Sequence, residues 1–85
     1  MENKIKIPVS KLKFEPVKSS QIKAVAYDQD SEVLYLKFNK GDVYSYWPVE
    51  KEQVAEFKAS ASIGSYFHNN FKMNKELVIQ KEIIN

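Results

Sequence analysis

Three groups of residues in this chain are suited to chemistry. Tyr44 and Tyr46 stand two apart in Val43-Tyr44-Ser45-Tyr46-Trp47, a spacing that turns both phenols to the same side of a strand. A neighbouring strand through Glu32-Val33-Leu34-Tyr35-Leu36-Lys37-Phe38 is expected to bring Tyr35 beside them. Phenol faces on an open sheet stack nucleobases, a contact worth about 1–3 kcal/mol per base. Two other roles suit the same side chains: packing beneath the chain ends with their hydroxyls hydrogen-bonded, or burial between two protomers. The second group, Ser62-Ile63-Gly64-Ser65, precedes a short helical pattern. Hydroxyls, a glycine that admits close backbone approach and helix-terminal amides together favour a phosphate, and helix capping by Ser62 or Ser65 is the alternative. The third group, Ser19-Ser20, can cap, turn the chain or contact a ligand.

Other chemistries have weaker support. His68 is the single histidine and there is no cysteine, so neither a metal site nor a cofactor is expected. No spacing joins Ser62 or Ser65 to His68 and an aspartate as a nucleophilic triad, and Glu50 and Glu52 read as the acidic first turn of a helix. The serine and glycine loop lacks the glycine spacing and the lysine of a P-loop. The expectation is therefore a binding protein and not an enzyme. All 13 cationic side chains are lysine. Without arginine there is no guanidinium fork for guanine edges in duplex DNA, although lysine can still meet phosphate as a point charge.

The elements that must position these residues read as a β-meander. Ile22 to Tyr27, Glu32 to Phe38 and Val43 to Trp47 are rich in β-branched and aromatic residues, and polar turns at Asp28 to Ser31 and Asn39 to Asp42 separate them. A hairpin centred on Lys40-Gly41 would oppose Phe38 with Val43, Leu36 with Ser45 and Leu34 with Trp47. Tyr35, Tyr44 and Tyr46 would then share the second face, with Tyr27 beside them and Ile22, Ala24 and Ala26 on the Leu34 face. Val49 to Ala59 reads as a helix with Val54, Phe57 and Ala61 on one side, covering the sheet's apolar face. Gly64 separates it from a second short helix docked by Tyr66, Phe67 and Phe71. The fold expected is α+β: a three-stranded antiparallel β-meander, open to extension by N- or C-terminal strands, with one or two helices on one face.

Residues 1–16 form an arm or edge strand, with alternation at Lys4-Ile5-Lys6-Ile7-Pro8-Val9 and a boundary near Pro16. Residues 17–72 form the domain, and 73–85 a tail, strand or helix, suited to an oligomer interface. A chain of 85 residues with 44% apolar content closes around one small core. Small domains gain stability from disulfides, metals or self-association, and with no cysteine a homo-oligomer is a natural recourse. No apolar run reaches the length of a membrane span or resembles a signal peptide, so a cytoplasmic protein without a membrane partner is expected. A net charge of +2 permits a polyanionic partner without demanding one.

Three segments carry a family resemblance. Val17-Lys18-Ser19-Ser20-Gln21-Ile22-Lys23-Ala24-Val25-Ala26-Tyr27-Asp28, then Val43-Tyr44-Ser45-Tyr46, then Ser62-Ile63-Gly64-Ser65-Tyr66-Phe67 resemble the KTSC domain in order and spacing. That module occurs alone in bacterial and phage proteins and at the C-terminus of some lysyl-tRNA synthetases, and RNA binding has been proposed for it. The ligand-binding set expected is Tyr44, Tyr46, Tyr35, Ser62, Gly64, Ser65, Tyr66, Asn69, Lys72, Ser19 and Ser20. Where many members carry a basic residue after a Tyr-Phe-Asn stretch, this chain has Tyr66-Phe67-His68-Asn69-Asn70, which leaves the phosphate role to Lys72. The function expected is binding of RNA or a small nucleotide. Two alternatives stand beside it: a phage-type protein that sequesters a nucleotide signal of host defence, and a protein-interaction or self-assembly module.

Overall fold

The computed structural model describes residues 11–82; the strand expected at Lys4 to Val9 and the last tail residues lie outside them. Five strands form one antiparallel sheet in chain order: β1 (Glu15–Pro16), β2 (Ile22–Asp28), β3 (Val33–Phe38), β4 (Val43–Trp47) and β5 (Val78–Glu82). The meander is thus extended at both ends. Between β4 and β5 come α1 (Lys51–Ala59) and α2 (Ile63–Phe67), and α2 continues as a π-helix over His68–Lys72. Both helices pack on the same face of the sheet.

The register differs by one residue from the sequence expectation, and the β3–β4 hairpin shows why. Gly41 N–H donates to the Phe38 carbonyl (2.8 Å) and Phe38 N–H to the Asp42 carbonyl (2.8 Å), which closes a three-residue loop. Gly41 adopts φ +102°, the left-handed geometry that ends such loops and that glycine adopts without strain. The two-residue turn expected at Lys40-Gly41 would have paired Phe38 with Val43. Observed instead are Lys37 opposite Val43, Leu36 opposite Tyr44, Tyr35 opposite Ser45 and Leu34 opposite Tyr46. A slip of one residue exchanges the faces. Tyr44 and Tyr46 therefore lie on the helix side with Leu34, Leu36 and Phe38, whereas Tyr35 lies on the other side with Val33 and Val43.

The same correction applies to β2. Asp28 pairs with Val33 across an even-length turn held by the Asp28 carboxylate, which accepts from Asp30 N–H (3.3 Å) and Ser31 Oγ (2.6 Å). Val25 and Tyr27 consequently face the helices, and Ala26 faces away. A bulge between Ile22 and Ala24 shifts the phase, so Ile22 also reaches the helix side.

The principal core lies between sheet and helices. Ile22, Val25, Leu34, Leu36, Val49, Phe57 and Phe71 are fully buried there, joined by Tyr46, Val54, Ile63 and Phe67. Each fully buried aliphatic or phenylalanine side chain contributes about 1.5–3 kcal/mol relative to exposure. α1 starts two residues later than expected, and Ala61, placed by sequence on its apolar side, is exposed beyond its end. A smaller cluster, Ala26, Val33, Tyr35 and Val43, occupies the opposite face. Leu12, Phe14 and Trp47 pack against it, with Lys37 Nζ 5.8 Å from the Phe14 ring centroid. β3 is buried on both sides from Val33 to Leu36, which explains its unbroken apolar run.

Candidate functional site

The helices leave one end of their own sheet face open. At that end the β3–β4 hairpin and the turn before β2 enclose a half-open cleft of about 430 Å³, lined by Ser20, Gln21, Phe38, Asn39, Lys40, Asp42 and Tyr44. The register argued above puts Phe38 and Tyr44 on this side, with ring centroids 5.8 Å apart and planes at 87°. Phe67 of α2 meets Phe38 edge-on at 5.4 Å, so the aromatic wall is braced from behind. Edge-to-face pairs of this kind hold rings in fixed orientations.

The polar wall is built by two turns fastened to each other. Ser19 Oγ accepts from Gln21 N–H (3.1 Å) and Ile22 N–H (3.3 Å), which fixes the bend that presents Ser20 and Gln21. Asn39 Nδ2 donates to the Ser20 carbonyl (2.7 Å), and Asn39 N–H to the Gln21 carbonyl (2.9 Å). Lys40 and Asp42 follow on the hairpin, with Lys81 Nζ of β5 3.9 Å from Asp42 Oδ1. The lining thus combines π-faces, one cation, one carboxylate, two hydroxyls and two amides.

Of the residues singled out by sequence, Tyr44 and Ser20 line this cleft, and Ser19 shapes it from below. Tyr46 is buried in the core between Phe67 and Phe71. Burial, with the Tyr44 phenol as a second cause, holds its hydroxyl well above the ordinary tyrosine range. Tyr35 is fully buried on the far face, so the expected single surface of three phenols does not form. Tyr27, expected beside them, donates its hydroxyl to the Val49 carbonyl on the helix side.

The serine and glycine loop acts as a helix cap. Ser62 Oγ accepts from Ser65 N–H (3.3 Å), while Ser65 points outward. Gly64 lies against the Ser19 turn: a β-carbon there would sit 3.8 Å from Ser19 Oγ. Two motifs far apart in sequence thus meet in space. Tyr66 hydrogen-bonds Glu56 Oε1 (2.9 Å), and burial followed by that acceptor raises its hydroxyl pKa. Asn69 and Lys72 are exposed on the π-helical segment and are not among the residues lining the cleft.

Sequence reasoning missed Gln21, Phe38, Asn39, Lys40 and Asp42, which it read as strand ends and a turn. Two other depressions carry different sets of charges. One, of about 450 Å³, is rimmed by Glu32, Glu50 and Glu52. The other, of about 370 Å³, contains Lys18 and Lys58, but Glu15 Oε1 already sits 2.6 Å from Lys58 Nζ. Among the described residues no group of three or more histidines, cysteines or acids could hold a metal ion. No helix among them is long and apolar enough to cross a membrane.

Comparison with known proteins matches residues 18–74 to the family model of the KTSC domain. A protein of Tsukamurella paurometabola is 34% identical over 59 residues, 69% of this chain and 88% of that one. An uncharacterized protein of Stutzerimonas stutzeri is 30% identical over 61 residues, 72% of this chain and 86% of that one. The crystal structure of a KTSC domain protein from Yersinia pestis superposes with a TM-score of 0.74 at 26% identity, covering 85% of this chain and 99% of that one.

Proposed function

This chain belongs to the KTSC domain family, and from that premise we propose that it is a non-enzymatic module that binds a nucleotide unit, free or within single-stranded RNA, in the cleft beside Tyr44. One observation carries the reading: aromatic and phosphate-compatible groups share a single cleft of about 430 Å³, within the size range of small-molecule sites. Tyr44 supplies a stacking surface, Lys40 a point charge for phosphate, and Ser20 and Asn39 hydrogen bonds to sugar or phosphate oxygens. The reading is one of binding alone, and it assigns no role to His68, which is exposed on the π-helical segment and does not line the cleft. Tight binding without turnover would also suit a protein that sequesters a nucleotide signal of host defence.

The test is a titration of the labelled protein, followed by amide NMR, with nucleoside monophosphates and a short single-stranded RNA. Saturable shifts are expected at Ser20, Gln21 and Phe38 to Tyr44, and Tyr44→Ala should weaken binding on the order of tenfold, the loss of one stacking contact. Salt separates the two ligand sources, because RNA releases more counterions than a mononucleotide and its affinity should fall more steeply. Shifts confined to β5, or none at millimolar ligand, would remove the proposal.

A second reading, self-assembly, is favoured by one observation. Met73 (59% exposed), Val78 (50%) and Ile79 (42%) are the large exposed hydrophobic side chains among the described residues, and the last two sit on the edge strand β5. Light scattering of Val78→Lys beside the parent protein decides it: a mass unchanged between the two leaves no role for this patch.

A further inference from the structure

We propose that the cleft selects guanine, a preference that rests on the nucleotide reading above and is exerted by the carboxylate of Asp42. Asp42 and Tyr44 are two residues apart where the hairpin enters β4, so they line the same wall, separated by about 6–7 Å of strand. The Asp42 backbone is anchored because its carbonyl accepts from Phe38 N–H (2.8 Å). Its side chain is open to solvent, 48% exposed, and carries one long ion pair, to Lys81 Nζ at 3.9 Å. No side-chain hydrogen bond occupies its oxygens among the described residues.

A base stacked against Tyr44 presents its edge to this carboxylate. An ionised carboxylate only accepts hydrogen bonds, and its two oxygens match two parallel donors. Guanine supplies such a pair in N1–H and the adjacent exocyclic amine. Adenine and cytosine set one amine beside a ring nitrogen whose lone pair the carboxylate repels, and uracil sets one N–H between two carbonyls. Guanine is therefore the base whose edge leaves neither Asp42 oxygen facing a lone pair. Lys40, on the same hairpin, offers its charge to the phosphate without competing for the base edge.

Calorimetry on the intact protein with GMP, IMP and AMP tests this. GMP should bind on the order of tenfold more tightly than AMP, the discrimination of one good bidentate contact. IMP, which keeps N1–H but lacks the amine, should fall between them. Asp42→Asn should bring GMP to the level of AMP and leave AMP binding unweakened; the backbone bond that anchors residue 42 persists, and an unchanged melting temperature verifies it. Equal affinity for GMP and AMP, or an equal loss of both in Asp42→Asn, overturns the guanine assignment while leaving the nucleotide reading intact. Absence of binding by all three and by the short single-stranded RNA overturns both.

Discussion

Replacing Gly41 with alanine isolates the term that sets the β3–β4 register. The residue has φ +102°, and a β-carbon built there meets no atom within 4 Å, so the substitution adds backbone strain and no collision. Holding an L-residue in left-handed geometry costs about 1–2 kcal/mol. Against a total stability of roughly 4–13 kcal/mol for a domain of this length, that is a substantial fraction. At about 4–8 °C per kcal/mol for a small domain, the melting temperature of Gly41→Ala should fall by roughly 4–16 °C. Urea unfolding should show a lower midpoint with unchanged slope, since the folded and unfolded surfaces are nearly the same. Gly41→Asn should recover part of the loss, because asparagine tolerates this conformation better than alanine. A neutral Gly41→Ala would refute the reasoning: it would mean that the hairpin closes on a turn without left-handed geometry, and the facing of Tyr44 would lose its cause.

The same exchange at Gly64 should have the opposite sign. Its nearest neighbour would lie 3.8 Å from the new carbon, an ordinary contact, and helix formation should gain about 0.5 kcal/mol, read as a higher urea midpoint. Phe71→Ala empties a fully buried site ringed by Tyr46, Phe57 and Tyr66, and circular dichroism should show a loss of about 3–5 kcal/mol, enough to leave much of the protein unfolded. Tyr46 governs the alkaline limb. Its folded pKa lies above the ordinary 10.0, so its contribution is complete below pH 10 and declines as pH rises beyond it; Tyr46→Phe should flatten that decline. Glu15 acts in acid: the hydrogen bond and charge of Lys58 hold its pKa below 4.5, so its contribution is present above that value and lost as pH falls through the folded pKa. Glu15→Gln should remove that part of the acid titration.

Element type was legible in the sequence because the strand runs are rich in β-branched and aromatic residues and the polar turns between them are distinct. Register was not, since Asn39-Lys40-Gly41-Asp42 suits either a two-residue or a three-residue loop, and only the hydrogen bonds of Phe38 decide between them. That single ambiguity moved Tyr35 away from Tyr44 and Tyr46. Exposure was hidden for a related reason: β3 is covered on both faces, and alternation cannot signal a second cover contributed by Leu12 and Phe14. Among the residues that line the cleft, Tyr44 and Ser20 are singled out by residue type and resemblance. Phe38, Asn39, Lys40 and Asp42 escaped because their meeting with Ser20 depends on bonds such as Asn39 Nδ2 to the Ser20 carbonyl, which span the length of β2 and β3.

The position of β5 governs how this domain comes apart. β2, β3 and β4 are neighbours both in space and along the chain, whereas β5 reaches β4 only after the whole helical excursion through α1 and α2. Closing that long loop costs entropy that the short hairpins avoid, so the β4–β5 pairing is expected to form after the hairpins. With its side chains mostly exposed, β5 also has little buried surface to retain it. Its amides should exchange with deuterium through openings far cheaper than global unfolding, leaving the hairpin and the wall that carries Tyr44 protected. Release of the last strand would strip one edge of β4 bare and part Lys81 from Asp42.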